Sequence, residues 1–426
     1  MPSRKEILGY LYGLEAHGIK PGLGRIKKLL RALGYPQKEF HSIHVAGTNG
    51  KGSTCAFLFS VLKEAGFRAG LYTSPHLERF NERIRTSAGL ISDRDVVRTA
   101  MRVREAAEES GQEVSFFEFA TAMAFEHFRM RAVEVAVVET GMGGRWDATN
   151  VVSPLVSVIT TVGLDHMEYL GDDVAAIARE KAGIIKKSAP LITGVAKGTA
   201  LKVLTAAARE KRSRLFRLGR DFTFTRIPGT RLFDYSGASM ALEDLSIRLI
   251  GAHQYSNASC ALAALEAIGE KGYRIPEPCI RRGLEKAEWP GRVEVVGKRP
   301  LIILDAAHNP DGARSLGEAL KPLGFRRLIL VLGIMNDKDI DGILNRLAPL
   351  SDVILVAAPD TPRAASAETL VERLKRHKKP ARPYPSVAAA CRAALKEAER
   401  NDAICVTGSI YTVGEARKCL RGLKSS

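Results

Sequence analysis

Aromatic residues make up only 6% of this 426-residue chain, and no two cysteines have C-x-x-C spacing. The six cysteines, at 55, 260, 279, 391, 405 and 419, therefore signal neither a zinc knuckle nor a redox pair. A disulfide framework is not expected at this size, and reduced core cysteines are the reading. No apolar run approaches the ~20 residues of a membrane span. Residues 1–20 carry charges throughout and have no signal-peptide apolar core. A soluble, cytoplasmic protein without a membrane partner is expected. Acidic residues are also scarce: 47 Asp and Glu face 64 Lys and Arg, a formal net charge of +17. That balance excludes an acidic solvating chain and favours anionic partners. A nucleic-acid tail would concentrate the charge and interleave aromatics. Here the excess is spread along the chain, and its densest run, 373–379, is short and followed by Pro380 and Pro383. No nucleic-acid partner is expected.

The chain is 45% hydrophobic, enough for full-sized cores. Its length suggests two domains, or three, at roughly 100–200 residues each. Short β-branched runs alternate with glycine-bearing turns and helical periods. Residues 41–45, 133–138 and 155–161 read as strands, and 53–65, 121–128 and 174–182 as helices between them. That alternation predicts an α/β fold with a mostly parallel sheet covered on both faces. Between 214 and 235, alternating segments predict antiparallel strands, and 253–268 reads as a helix. Trp289-Pro290-Gly291-Arg292 is a turn-like break. Beyond it, strands at 301–304, 327–332, 353–357 and 403–406 restart the rhythm. A boundary near 286–292 is expected, giving domains 1–286 and 287–426, the second sized for one open α/β sheet.

Residues 43–54 read Ile-His-Val-Ala-Gly-Thr-Asn-Gly-Lys-Gly-Ser-Thr. A strand enters a glycine-rich turn and a helix follows, as a nucleotide phosphate requires. Backbone N–H groups approach the oxygens, the helix N-terminus adds positive potential, and Lys51 adds a full charge. Ser53 is placed to offer a hydroxyl to Mg²⁺. Glu139 ends a strand in Glu-Thr-Gly-Met-Gly-Gly, where a carboxylate faces the ligand crevice and suits a hard cation. It reads equally as a capping or salt-bridged surface acid. His166 follows a strand as a metal ligand or a helix-capping residue. Lys181 sits at a helix C-terminus, where it satisfies the last carbonyls. Asp305 precedes Ala306-Ala307-His308-Asn309-Pro310, as a ribose contact or an Asx turn.

Taken in order, a longer set of motifs resembles the folylpolyglutamate synthase/dihydrofolate synthase family, within the wider Mur ligase superfamily. The set runs HVAGTNGKGST (44–54), YTSPHL (72–77), FFEFATA (116–122), ETGMGGRWDATN (139–150), TTVGLDHMEYLG (160–171), IAREKAGIIK (177–186), HQYSNA (253–258), WPGRVE (289–294), DAAHNP (305–310), DKD (337–339) and GSIYTVGEAR (408–417). The resemblance implies a P-loop-containing Mur ligase-type central domain, carrying an N-terminal pterin-binding loop. A smaller Rossmann-like α/β C-terminal ligase domain follows it. It implies an ATP-dependent amide ligase: ATP phosphorylates a carboxylate, and the amine of L-glutamate displaces phosphate. The acceptor is dihydropteroate, a reduced folate, or both. By the same resemblance Asn49, Gly50, Lys51, Gly52 and Ser53 hold the ATP phosphates, with Asn257, Arg292 and Asp305 as further nucleotide contacts. Ser53, Ser74, Glu139 and His166 are the expected ligands of Mg²⁺, two ions in all, and Lys181 matches a lysine carried as a carbamate. Lys51, Lys181 and His308 are the expected catalytic residues. Gly22, Leu23, Gly24, Ser115, Phe117, Trp146 and Asp147 are the expected pterin or folate contacts. ATP is expected between the domains, so that closure assembles the site. A single chain is the expected working form. Two positions depart from the family pattern: Gly24 stands where an acid usually precedes the arginine, and Ala306 replaces a glycine.

Three other functions compete with this reading. A cell-wall Mur ligase needs a separate N-terminal domain for a UDP-sugar. Only 46 residues precede Gly47, and Gly52 follows the loop lysine where those enzymes usually have Thr. A nucleic-acid ATPase conflicts with the diffuse charge. A non-catalytic nucleotide-binding module conflicts with the complete set of magnesium positions.

Overall fold

Buried β-branched residues build the centre of the first sheet, in His41–Ala46, Val135–Glu139 and Val156–Ile159. In chain order its strands are β1 (His41–Ala46), β2 (Ala69–Tyr72), β3 (Ile84–Thr86), β4 (Gly89–Leu90), β5 (Val135–Glu139), β6 (Val156–Ile159), β7 (Leu191–Thr193) and β8 (Leu215–Arg217). They lie in the order β4-β3-β2-β5-β1-β6-β7-β8. The six from β2 to β8 run parallel, and β3 and β4 form an antiparallel edge. This computed structural model describes residues 2–18 and 21–424.

The helices are introduced here in chain order: α1 (Arg4–Gly13), α2 (Gly24–Ala32), α3 (Lys51–Glu64), α4 (Asp93–Ser110), α5 (Phe116–Met130), α6 (Met167–Leu170), α7 (Val174–Ala182), α8 (Gly198–Glu210), α9 (His253–Gly269) and α10 (Glu277–Lys286). Apolar faces of α1, α2, α4 and α5 share one core with Tyr72, Ala136 and Val138 of the sheet. A smaller cluster joins Ala46 and Ile159 to Ala182, Ile184 and Leu204. Helices α3 and α10 approach so closely that a Cβ on Gly283 would lie 2.5 Å from Val61 Cα. Only a residue without a side chain permits that spacing.

The chain forms two compact units, Met1–Arg248 with Tyr255–Ala287, and Leu249–Gln254 with Glu288–Ser426. The first also holds a three-stranded antiparallel sheet of β9 (Thr223–Arg226), β10 (Leu232–Ser236) and β11 (Ala241–Ser246). The second has β12 (Glu294–Lys298), β13 (Leu301–Leu304), β14 (Leu328–Leu332), β15 (Val353–Val356), β16 (Ala381–Pro383) and β17 (Ala403–Thr407), ordered β12-β13-β17-β14-β15-β16. All are parallel except β12. Its helices are α11 (Pro310–Leu320), α12 (Ile340–Leu347), α13 (Ala367–Leu374), α14 (Val387–Glu397) and α15 (Ile410–Lys424). Both units are thus α/β with mostly parallel sheets, as the sequence rhythm predicts.

Two expectations need correction. The first segment of 214–235 is not antiparallel: Leu215–Arg217 extends the main sheet as a parallel edge strand beside β7. Alternation reports a half-buried strand and says nothing of its direction. Helix α3 starts at Lys51, two residues before the expected start, with Gly50 as its N-cap at φ 86°. Among the described residues no helix is long and apolar enough to cross a membrane.

Candidate active site at the carboxyl edge of the first sheet

Parallel strands place their following loops on one edge, and β1 lies between β5 and β6. Register keeps their ends level: Val45 pairs with Glu139 and Val158, and Ala46 with Ile159. The Gly47–Gly50 loop, Glu139 and Thr160 consequently emerge side by side. This is the crevice position of open α/β sheets.

The loop after β1 is held from two sides. Asn49 N donates to Thr161 Oγ1 at 3.0 Å, and Thr160 Oγ1 donates to Asn49 O at 2.7 Å. Thr48 Oγ1 and Gly163 exchange two bonds of 3.0 Å. A Cβ on Gly47 would lie 1.9 Å from Thr160 Oγ1, and one on Gly50 2.3 Å from Asn257 Oδ1. The glycines therefore allow close approach as well as the turn itself. Lys51 Nζ bends over the loop, donating to the carbonyls of Gly47 and Thr48 at 3.0 and 3.2 Å. Ser53 is buried in the first turn of α3, and the buried Asn257 of α9 takes Thr54 Oγ1 on its carbonyl.

Glu139 ends β5 as a buried carboxylate rather than a surface ion pair. Its Oε2 accepts the Ser74 N–H at 3.3 Å, which brings the two expected metal ligands together. Next to it Thr140 Oγ1 is buried with no hydrogen-bond partner among the described residues. Among those residues no three His, Cys, Asp or Glu side chains form a ready cage. Hard oxygen donors that leave coordination positions open fit Mg²⁺, which keeps waters and shares phosphate oxygens. His166 N-caps α6 in a left-handed conformation, φ 52°. Its ring lies 3.9 Å from Asp165, a carboxylate only 8% exposed that the sequence reading passed over.

Lys181, in the last turn of α7, is 3% exposed. Burial first, and then the Lys51 charge, push its ammonium down to about 7, opposed by Asp165 and Asp147. The end of α7 is joined to the 141–147 loop. Arg145 N donates to Glu180 O at 2.8 Å, and Asn150 Nδ2 bridges the carbonyls of Arg145 and Gly183 at 2.9 and 3.1 Å.

The expected pterin residues lie in the same unit. Phe117 stacks on Tyr72 with centroids 6.1 Å apart, and its ring edge fills the space where Gly141 lacks a side chain. Ser115 is the N-cap of α5, its hydroxyl committed to a capping box with Glu118. Glu118 also receives Arg25 at 3.2 Å, tying the Gly22-Leu23-Gly24 turn to α5. Trp146 is 52% exposed, whereas Asp147 beside it is buried.

Arg292, Asp305 and His308 belong to the second unit. Asp305 is buried; its Oδ1 accepts Ala307 N and its Oδ2 accepts Val293 N, both at 2.9 Å. It therefore closes the Asx turn expected of it and also orders the linker strand. Arg292 is close enough to oppose the upward push of burial on its carboxyl. His308 Nδ1 lies 2.9 Å from the Ala306 carbonyl.

Residues 45–265 match the Mur ligase middle domain, and residues 291–410 the Mur ligase glutamate ligase domain. The dihydrofolate synthase/folylpolyglutamate synthase of Bacillus subtilis is 37% identical over 424 residues, 97% of this chain and 98% of that protein. This chain belongs to the folylpolyglutamate synthase/dihydrofolate synthase family. Among solved structures of the family, E. coli FolC in complex with DHPP and ADP matches with a TM-score of 0.91 at 34% identity, covering 100% of both chains. The bifunctional Yersinia pestis folylpolyglutamate synthase/dihydrofolate synthase, complexed with AMPPNP and Mn ion, gives 0.88 at 33%, covering 99% of this chain and 100% of that one. Within the family frame, Thr160 and Thr161 are the loop clamps that motif reading did not single out. Their place at the head of the 160–171 motif, at a strand end, was their sequence signal.

Proposed function

We propose that this protein joins L-glutamate to dihydropteroate, to a reduced folate, or to both, consuming ATP. A carboxylate oxygen of the acceptor attacks the γ-phosphorus, the bond to the β-phosphate oxygen breaks, and ADP leaves. The glutamate nitrogen then attacks the acyl carbon of the mixed anhydride, phosphate departs, and the nitrogen gives up its proton. The carrying observation is the level edge where the Gly47–Gly50 loop, Glu139 and Thr160 meet, with the buried Lys181 near enough to feel the Lys51 charge.

In this reading Asn49, Gly50, Lys51, Gly52 and Ser53 hold phosphate oxygens through backbone N–H groups and the lysine charge. Asn257 contacts the nucleotide from α9. In the C-terminal unit, Arg292 and Asp305 are assigned to the nucleotide, and His308 to the entering amine. Ser53, Ser74, Glu139 and His166 would hold Mg²⁺, two ions in our reading, which neutralises charge on the transferring phosphoryl group. Burial lowers the pKa of Lys181, leaving a large neutral fraction near pH 7. A neutral amine is the form that takes up CO₂ as a carbamate, which would give a carboxylate at this position. Phe117 offers a ring face to the pterin, with the Gly22–Gly24 turn, Ser115, Trp146 and Asp147 around it. ATP binding and the pterin loop are assigned to the first unit and the ligase role to the second; the expected cut after residue 286 lies one residue from the observed one, and Leu249–Gln254 joins the second unit instead of the first.

Hydroxylamine tests the intermediate. With ATP, Mg²⁺ and dihydropteroate but no glutamate, a hydroxamate of the pteroate is expected. ADP release without any hydroxamate would contradict the acyl phosphate.

A further inference from the structure

Strand β1 buries one ionisable side chain. Ile43, Val45 and Ala46 are apolar and fully buried, yet His44 among them is also 0% exposed. An imidazole in that position is costly unless hydrogen-bonded. Its Nε2 lies 2.8 Å from Thr149 Oγ1, and Thr149 Oγ1 donates to Asp147 Oδ1 at 2.5 Å. Asp147 in turn accepts Thr149 N at 2.9 Å and, on Oδ2, Met142 N at 3.0 Å. A three-residue chain thus runs from the phosphate-loop strand to the loop that carries Gly141 and Trp146.

The directions follow from the hydrogens available. The threonine hydroxyl has one, spent on the carboxylate, so its oxygen accepts from His44 Nε2–H. The ring is neutral, because burial pushes its pKa down to about 3. Nδ1 is then a bare lone pair, and it is buried without a partner among the described residues. The site bears that cost for a single bond to Thr149. The phosphate loop, by contrast, has its own clamps at Thr160, Thr161 and Gly163.

We propose that His44 is a positioning residue that acts through Thr149 to fix Asp147 and the 141–147 loop, and thereby sets affinity for the pteridine-bearing substrate rather than for ATP. The inference rests on the folate reading above and names a residue which that reading leaves out.

Steady-state kinetics on the full chain test it, with His44→Phe, His44→Gln, Thr149→Val and the double variant His44→Phe/Thr149→Val. Phe and Val each break the chain. Each is expected to raise KM for the pteridine substrate about ten-fold, by analogy with lost supporting hydrogen bonds at ligand-holding groups. KM for ATP should stay within about two-fold. The double variant should be no worse than the worse single, since both cut one chain. His44→Gln, whose amide also offers an N–H, should recover most of the loss. If His44→Phe does not fold, Thr149→Ser against Thr149→Val carries the same comparison, since only Ser keeps the hydroxyl. Unchanged pteridine KM in a folded Thr149→Val protein, or pteridine and ATP KM rising together, overturns the proposal. Failure of the folate reading looks different: the wild type would then glutamylate no pteridine at all.

Discussion

Lys181 changes its meaning once its surroundings are seen. In the sequence it is an ordinary helix-terminal lysine, able to satisfy the last carbonyls. In the fold it is 3% exposed, with the Lys51 charge acting on it and Asp165 and Asp147 close by. A buried cation facing a second cation is unfavourable, and conversion to a carbamate reverses its sign. Lys181→Ala is accordingly expected to lose at least about a hundred-fold in turnover, as removal of a group acting on transferring charge does. Added short carboxylic acids should restore part of it. Wild-type turnover in the variant, without any added acid, sinks the assignment. Glu139 was legible as a metal-binding candidate because a strand end carries its own prediction. Asp165 and the His44–Thr149 pairing were not, because each depends on chain segments far apart in sequence meeting in the fold.

Between elements, the decisive contact is where α7 ends against the 141–147 loop. Gly183 has φ −58°, a conformation open to any residue, so space alone demands glycine there. A Cβ would sit 2.3 Å from Arg145 Cα and 2.7 Å from Arg145 N, backbone atoms that cannot swing away. Gly183→Ala should cost ~1–3 kcal/mol by overpacking, read from a urea titration, and should slow turnover by shifting Lys181's helix from the loop. A stability within experimental error of the wild type would mean that this junction is looser than its distances indicate. Elements themselves were legible in proportion to their periodicity: 174–182 and 301–304 coincide with α7 and β13. The direction of the 215–217 strand was not, since direction is set by its partner β7 rather than by its own pattern.

At the scale of the whole molecule, the α/β rhythm and the ordered motifs made the fold class readable from the sequence. The +17 charge alone left nucleic acid, membrane and small anions open. Ion pairs leave this excess unchanged but tie down individual basic groups: Arg373 of the densest basic run bonds Asp341 at 3.0 Å, and Arg376 pairs with the same carboxylate. The excess suits ATP, glutamate and an anionic folate tail through a diffuse field. The most direct measurement is mass spectrometry of products after incubation with ATP, Mg²⁺ and L-glutamate, with dihydropteroate and tetrahydrofolate offered separately. The account predicts a product one glutamyl residue heavier from at least one of them, with ADP formed in step. ADP formation with neither pteridine glutamylated would contradict it and point to an amide ligase for a different carboxylate.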